Sequence, residues 1–544
     1  MNKIVFAGLF ILFHVSVDAQ ETSISNIGPG NEPMQTGRFE ANWQSLSQYV
    51  VPEWFRNAKF GIWAHWGPQC QPGQGDWYAR WMYEQGSNQY NWHVANYGHP
   101  SKAGFKEVVH SWKAENWNPE KLVALYKRAG AQYFFAMANH HDNVDMWNSK
   151  YQQWNTVNVG PHKDILAGWA KAAKNNQLPF GLSVHAAHAW SWYEVSQHAD
   201  TSGVYKGVPY DGKLTNAAGK DAWWNGLDIQ ALYAQDHQPS ADTKNIYAIH
   251  RQWDWSNGAS VPSKAYCEKF YNRTIDMINQ FHPDLLYFDD TGLPLYPVSD
   301  AGLKIAAHFY NSNMQQHDGQ LQAVLFGKIL TEQQKDCMVW DVERGAPDKI
   351  QQQPWQTCSC IGDWHYNNNI YEKGNYKSAR SVIHQLIDVV SKNGNLLLNI
   401  PVRGDGTIDD KEISILEDIA AWMDINKESI FDTRPWKIFG EGPSADSANP
   451  INAQGFNEGK ITYTAKDIRF NQNGKALYVT AMGVPAGDVI IKNLGTTSVP
   501  AIKSVTLLGS TGQINWQQSA EHLTIKKPAA VPNNIAAVFK IEMK

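Results

Sequence analysis

The stretch Pro283-Asp284-Leu285-Leu286-Tyr287-Phe288-Asp289-Asp290 reads as a buried β-strand. Four apolar or aromatic residues in a row stop at two carboxylates, with Gly292 just beyond. In a parallel α/β barrel, residues at the C-terminal ends of the strands face the active site. Asp289 is therefore a candidate nucleophile. Asp after a strand is also ordinary turn or helix-cap chemistry, so the rest of the chain has to decide between the two.

Outward from this stretch the same pattern recurs. Lys59–Pro68 is a short apolar strand ending in His65-Trp66-Gly67-Pro68, and the loop after it carries Asp76-Trp77. Ala131–Ala138 is a second strand, ending in Asn139-His140-His141-Asp142, and Pro179–Val184 is a third, ending in His185. Helical patterns lie between and after them at 119–130, 164–174 and 263–282. Further on, Met338–Val342 ends in Glu343-Arg344-Gly345. Pro354–Cys358 leads to Asp363-Trp364-His365, 378–392 and 410–427 read as helices, and Asn393–Pro401 reads as a last buried strand. Strand, polar strand-end and helix in repetition predict a parallel α/β arrangement. One histidine beside a strand is ordinary core chemistry. Several polar clusters at the same end of successive strands are how (β/α) barrels assemble sites.

Two regions interrupt or end the pattern. Residues 200–245 are polar, rich in Gly and Asp and without a clear period, and read as a loop insertion. After Arg434-Pro435-Trp436 helical periods stop. Short alternating runs follow at 461–464, 476–480, 505–508, 523–525 and 536–541, separated by Gly, Pro and Asn. That is the signature of a small β-sandwich. The fold expected is an irregular (β/α)8-type barrel followed by a C-terminal β-sandwich.

Composition narrows the function. The chain has 544 residues and a formal net charge of −5, which argues against a nucleic-acid or anionic-membrane partner, since these need a basic patch. It carries 24 Trp and 23 Tyr, whose flat apolar faces with one polar handle suit sugar rings as well as cores. Lys3, the apolar run Ile4–Val17 and Val17-Asp18-Ala19 make a secretory signal segment cleaved near Ala19, so export is expected. The predicted division is a signal segment 1–19, a flexible arm 20–40, a catalytic barrel 41–436 with the insertion near 200–245, and a sandwich 437–544. Five cysteines (Cys70, Cys267, Cys337, Cys358, Cys360) leave an odd thiol and allow a disulfide whose pairing spacing does not set. Cys358-Ser359-Cys360 is too tight for a zinc ribbon, so no metal and no cofactor are expected.

These residues carry a resemblance. Lys59–Pro68, Asp76–Tyr83, Asn139–Asp142 with Trp147–Lys150, Asp284–Asp289 and Asn393–Ile408 are similar to glycoside hydrolase family 29, the retaining α-L-fucosidases, over nearly the whole mature chain. The resemblance implies a barrel and a sandwich, and removal of terminal α-L-fucose from glycans through a covalent intermediate. It assigns Asp289 as nucleophile and His65, Trp77, His140 and His141 as sugar contacts. Asp76 stands where the family commonly has Glu. His185, Arg344 and Trp355 are further expected substrate contacts. The acid/base of one branch lies in a Trp-Glu-Thr motif that here reads Trp355-Gln356-Thr357, and an amide cannot donate and recover a proton. Glu343, 54 positions after Asp289, is then the leading carboxylate, with Asp341 and Asp290 as alternatives. A related L-sugar such as an α-L-galactoside, or fucose binding without hydrolysis, are the competing functions. Linkage preference and oligomeric state have no readable signal.

Overall fold

A computed structural model describes residues 26–241, Trp255, 258–446, 455–459 and 461–544. The expected signal segment and the end of the expected insertion lie outside these residues. Eight strands form a closed barrel: β1 (Phe60–Ala64), β2 (Tyr133–Asn139), β3 (Phe180–Val184), β4 (Leu285–Thr291), β5 (Val324–Lys328), β6 (Val339–Asp341), β7 (Trp355–Cys360) and β8 (Gly394–Asn399). All neighbours are parallel, and β8 closes on β1 with Ile62 opposite Leu398. The strands are short and apolar because both faces are covered, one by helices and one by the barrel interior. Trp63, Phe135, Tyr287 and Phe326 meet in that interior with ring centroids 5.1–6.4 Å apart. They form an aromatic floor beneath the strand ends.

The helices around the barrel begin at side-chain caps that supply acceptors for otherwise unpaired N–H groups. Asn118, Asp164, Ser263 and Ser378 each accept from the backbone N–H three residues on, opening Pro119–Arg128, Ile165–Asn175, Lys264–Phe281 and Ala379–Ser391. Asp409 and Glu412 cap Asp410–Asn426 reciprocally. Among the elements not foreseen in the sequence are β5 and the helix Ala301–Gln316. Among the described residues no helix is long and apolar enough to cross a membrane. All five cysteines are buried free thiols.

The expected flexible arm is not loose where it is described. Ile27 and Phe39 are buried. The backbone N–H groups of Ile27, Asn31, Gln35 and Phe39 donate to Asp300, Asn272, His308 and Asn311 on the two helices that flank β4. Polar composition gives no warning of this, because the arm is held largely by side-chain acceptors of those helices, with only Ile27 and Phe39 among its apolar residues fully buried in the core. The described part of the insertion is likewise organised by buried carboxylates. Asp211 accepts from Tyr83, Lys106 and Tyr233, and Asp200 accepts from Tyr90 and Tyr210.

Beyond the barrel, a five-stranded sheet faces a three-stranded one. The larger sheet comprises β9 (Arg434–Glu441), β10 (Ile468–Asn473), β11 (Ala476–Ala481), β13 (Ile502–Leu507) and β16 (Ala537–Met543). The smaller comprises β12 (Val489–Ile491), β14 (Trp516–Gln518) and β15 (Leu523–Ile525). One apolar cluster joins them, with Phe470, Val479 and Phe539 meeting Ile491, Leu523 and Ile525. The expected strand at 461–464 is a loop: Thr464 donates through its backbone and hydroxyl to Asp467, which turns the chain into β10. Asp388 on Ala379–Ser391 locks the sandwich to the barrel. It receives Arg469 of β10 at 2.6 Å and Lys392 at 2.8 Å, all three buried. Removing one partner of a buried charge network leaves an uncompensated charge, at a cost of about 3–5 kcal/mol. Asp388→Ala is therefore expected to lower the calorimetric unfolding temperature by several degrees. An unchanged temperature would show that the ion cluster does not hold the two units together.

Candidate active site

Strand ends place the candidate residues. Asp289 ends the apolar part of β4 and points inward. One carboxylate oxygen pairs with the ammonium of Lys328, the last residue of β5. The other lies 3.5 Å from His141 Nε2 and 3.3 Å from His185 Nδ1. The same Lys328 Nζ lies 2.5 Å from Glu343 Oε2, just after β6. Two carboxyl oxygens on one nitrogen are separated by no more than two hydrogen-bond lengths, about 6 Å. That bound is compatible with the roughly 5–5.5 Å of retaining glycosidases.

The two carboxyls are not equivalent. Burial opposes ionisation of both. At Asp289 the Lys328 charge and the bonds from His141 and His185 outweigh burial and hold the group well below the usual carboxylate range. At Glu343 burial, reinforced by the negative charge of Asp289, outweighs Lys328 and pushes the group up. Lys328 is buried, yet its two anionic neighbours raise it and keep it charged. One carboxyl kept ionised and one pushed toward the protonated form is the division that acid and nucleophile roles require.

A nest of imidazoles covers the strand ends. Ring centroids of His65 lie 5.1 Å from His140, 5.0 Å from His185 and 4.8 Å from His365, and His140 lies 4.4 Å from His141. Burial, then the neighbouring imidazoles, holds His65 and His140 well below the ordinary histidine value, so both are neutral. Neutral imidazole offers one donor and one acceptor, the pair a sugar hydroxyl needs. Both ring nitrogens of His65 are buried with no protein hydrogen bond, whereas His365 Nδ1 lies 3.4 Å from the Asp76 carboxylate. The trios His65–His140–His365 and His140–His141–His185 also bring ring nitrogens within 4.8 Å of one another, a donor set of the kind that can hold a transition metal. Second contacts fix the rings. His141 Nδ1 bonds the His185 carbonyl at 2.8 Å, and His140 Nδ1 meets Gln69 at 2.9 Å.

Asp76 and Trp77 close one side. The Asp76 carboxylate accepts from the His365 backbone at 2.7 Å. Gly75 makes this approach feasible: at φ +77, a Cβ there would lie 2.6 Å from Asp363. Trp77 sits half-buried with φ 60, edge-on to His141 at 6.4 Å. A left-handed conformation costs a large non-glycine residue about 1–3 kcal/mol and gathers at ligand clamps.

Other expectations are corrected. Trp355 opens β7, pairing with the first residue of β8, so it lies at the opposite end of the barrel from Asp289. It is buried and donates to the Lys392 carbonyl, which is core packing rather than a substrate contact. Gln356 lies in the barrel interior, bonded to Tyr133 and Asp341. Asp341, buried beside Gln356 and Cys358, is pushed up by burial to about 6, one layer beneath the pair. Asp290 alternates to the other face of β4 and pairs with His188 at 2.9 Å. The Arg344 guanidinium is engaged by Glu458 at 2.6 Å, so the cation at the carboxylate pair is Lys328. Lys328 and His365 are the residues the sequence reading did not assign.

The match extends along the chain. The model of the family "Alpha-L-fucosidase" matches residues 29–428, and that of "Alpha-L-fucosidase C-terminal domain" matches 456–542. The chain belongs to the alpha-L-fucosidase family. It is thus a glycoside hydrolase, as the resemblance to family 29 implied. Tissue alpha-L-fucosidase of Rattus norvegicus is 23% identical over 510 residues, covering 91% of this chain and 89% of that protein. Tissue alpha-L-fucosidase of Homo sapiens is 22% identical, covering 93% and 91%. The crystal structure of Thermotoga maritima alpha-fucosidase in complex with fucose superposes with a TM-score of 0.67 at 22% identity, covering 93% of this chain and all of that one. That likeness is one of fold.

Replacing Lys328 tests the electrostatics of the site. In Lys328→Met, burial and the adjacent Glu343 act on Asp289 without the cation, so its carboxyl rises. The acid limb of the pH–rate profile for glycoside hydrolysis is expected to move to higher pH, with a loss of at least 10-fold in kcat/KM, as for other preorganised charges. An acid limb left in place would remove Lys328 from control of Asp289.

Proposed function

We propose that the chain is an exported, exo-acting α-L-fucosidase that releases terminal α-L-fucosyl residues from glycans with retained configuration. The observation that supports this reading is the sharing of one ammonium by Asp289 and Glu343, which keeps the two carboxyls close enough for the spacing of a retaining pair. Asp289, kept ionised, attacks the anomeric carbon and forms the glycosyl ester. Glu343, kept toward its protonated form, gives its proton to the leaving oxygen. In the second step Glu343 takes a proton from water, and the resulting hydroxide displaces Asp289 from the anomeric carbon. The neutral histidines and Trp77 supply hydroxyl contacts and an apolar face for the sugar. A nucleophile held ionised opposite an acid has no purpose in binding alone, which disfavours a non-catalytic lectin. Lys3 followed by the apolar run to Val17 supports export.

Three outcomes test the chemistry. Asp289→Ala is expected to abolish turnover of an aryl α-L-fucoside. Glu343→Ala is expected to lose about 10²–10⁴-fold on a fucosyl disaccharide, far less on an activated aryl fucoside, and to recover with azide on the latter. The pH profile follows the same assignment. Glu343 must be protonated to act, and its value is raised, so kcat/KM falls on the alkaline side at a pH above the ordinary glutamate range. Glu343→Ala should erase that limb. Equal loss on both substrates, without azide rescue, would reject Glu343.

A further inference from the structure

The segment that carries Glu343 is gripped from two sides. On its barrel side Val342 and Arg344 donate through their backbone N–H groups to Gln356 and Cys358 of β7, both at 2.8 Å. On its outer side lie residues 455–458, which fall between β9 and β10 of the C-terminal domain. Gly455 bridges Glu343 in parallel, and Phe456 and Glu458 donate to the Glu343 and Arg344 carbonyls at 2.8 and 2.9 Å. The approach is close: a Cβ at Gly455 (φ +92) would lie 2.4 Å from the Glu343 carbonyl oxygen. Asn457 extends the grip by bonding both the N–H and the C=O of Ala346.

Glu458 is the hub of this strap. Its carboxylate receives Arg344 Nε at 2.6 Å, Lys377 Nζ at 2.8 Å and Ser359 Oγ at 2.6 Å. Arg344 holds φ 49, so its backbone is strained and its direction is set by these contacts. Resting on the reading of Glu343 as acid/base, we propose that Glu458, supplied by the C-terminal domain, is a positioning residue for Glu343: it fixes the acid's segment against β7 and holds the Arg344 charge on itself rather than on the Glu343 carboxyl. The sandwich then acts on the acid from outside the catalytic centre, through the backbone segment that carries Glu343.

The groups acting on Glu343 can be named. They are Lys328 of β5, Asp289 and Tyr287 of β4, Asp341 of β6, Cys358 of β7, and Arg344 beside it. Of these, Arg344 is the one whose charge Glu458 compensates. Burial opposes the Glu458 charge, but Lys377, Ser359 and Arg344 outweigh it, so the carboxylate stays ionised. Releasing Arg344 would lower Glu343 and expose its proton to loss at a lower pH.

The experiment compares full-length wild type, Glu458→Gln, Glu458→Ala and Glu343→Ala on an activated aryl α-L-fucoside and on a fucosyl disaccharide, each across pH. Glu458→Gln keeps the shape of the hub without its charge. The expected result is near-normal turnover of the aryl fucoside, a loss of about 10-fold or more on the disaccharide, and an alkaline limb displaced to lower pH. Near-normal aryl turnover also shows that the variant is folded. Equal loss on both substrates, or an alkaline limb in the wild-type place, overturns the positioning role. If Glu343→Ala itself shows neither leaving-group dependence nor azide rescue, the acid/base reading falls and takes this inference with it. If Glu343→Ala behaves as an acid/base variant while both Glu458 variants match wild type, this inference alone falls.

Discussion

One ammonium between two buried carboxylates is the interaction on which the site depends. At about 5 Å two such charges repel by about 3 kcal/mol at an effective dielectric of 20, and burial adds to the penalty. Without Lys328 the pair would settle by protonating. With it, the outcome depends on what else each carboxyl touches. Asp289 has two imidazoles on its far oxygen, while Glu343 has Asp289 as a repelling neighbour. In the proposed mechanism the difference in partners, rather than in residue type, is what separates the nucleophile from the acid. Each of these groups stands at or just beyond the end of a different strand, so the barrel's parallel register is what brings them together.

The parts of this arrangement legible in the sequence were those carried by a pattern. An apolar run that stops at a carboxylate or a histidine can be recognised one strand at a time, and this located Asp289, His65, His140, His141 and His185. What needs a second strand to acquire meaning was not legible. β5 is five residues long, and its terminal Lys328 looks like any solvated lysine until two carboxylates are seen beside it. His365 lies on the loop after β7, in no periodic element, and only the closure of the barrel brings it to His65. Trp355 misled for the opposite reason. A tryptophan suits a sugar, but the direction of β7 puts position 355 at the far end of the barrel. Arg469 reads as a poor strand residue until Asp388 neutralises it, which is why β10 was missed while the neighbouring 461–464, with the right alternation, was taken for a strand.

The C-terminal domain meets the barrel at two places with different consequences. Around Asp388 the contact is a buried charge cluster that joins two units. Around Glu458 it reaches the backbone of Glu343 itself and of Arg344 beside it. A sandwich that only shielded the barrel would have no need to pair with the one loop that carries Glu343.

The central claim is that the Asp289 carboxylate oxygen forms the bond to the anomeric carbon in a glycosyl ester, and the most direct measurement is to trap that ester. Treating the full-length protein with a 2-deoxy-2-fluoro-α-L-fucosyl donor bearing a good leaving group slows turnover of the intermediate, and peptide mass spectrometry then locates the sugar. The account predicts a single fluorofucosyl adduct on Asp289, within the peptide containing Leu285–Thr291. An adduct on Glu343, Asp341 or Asp290, or complete turnover with inverted product and no adduct, would contradict it.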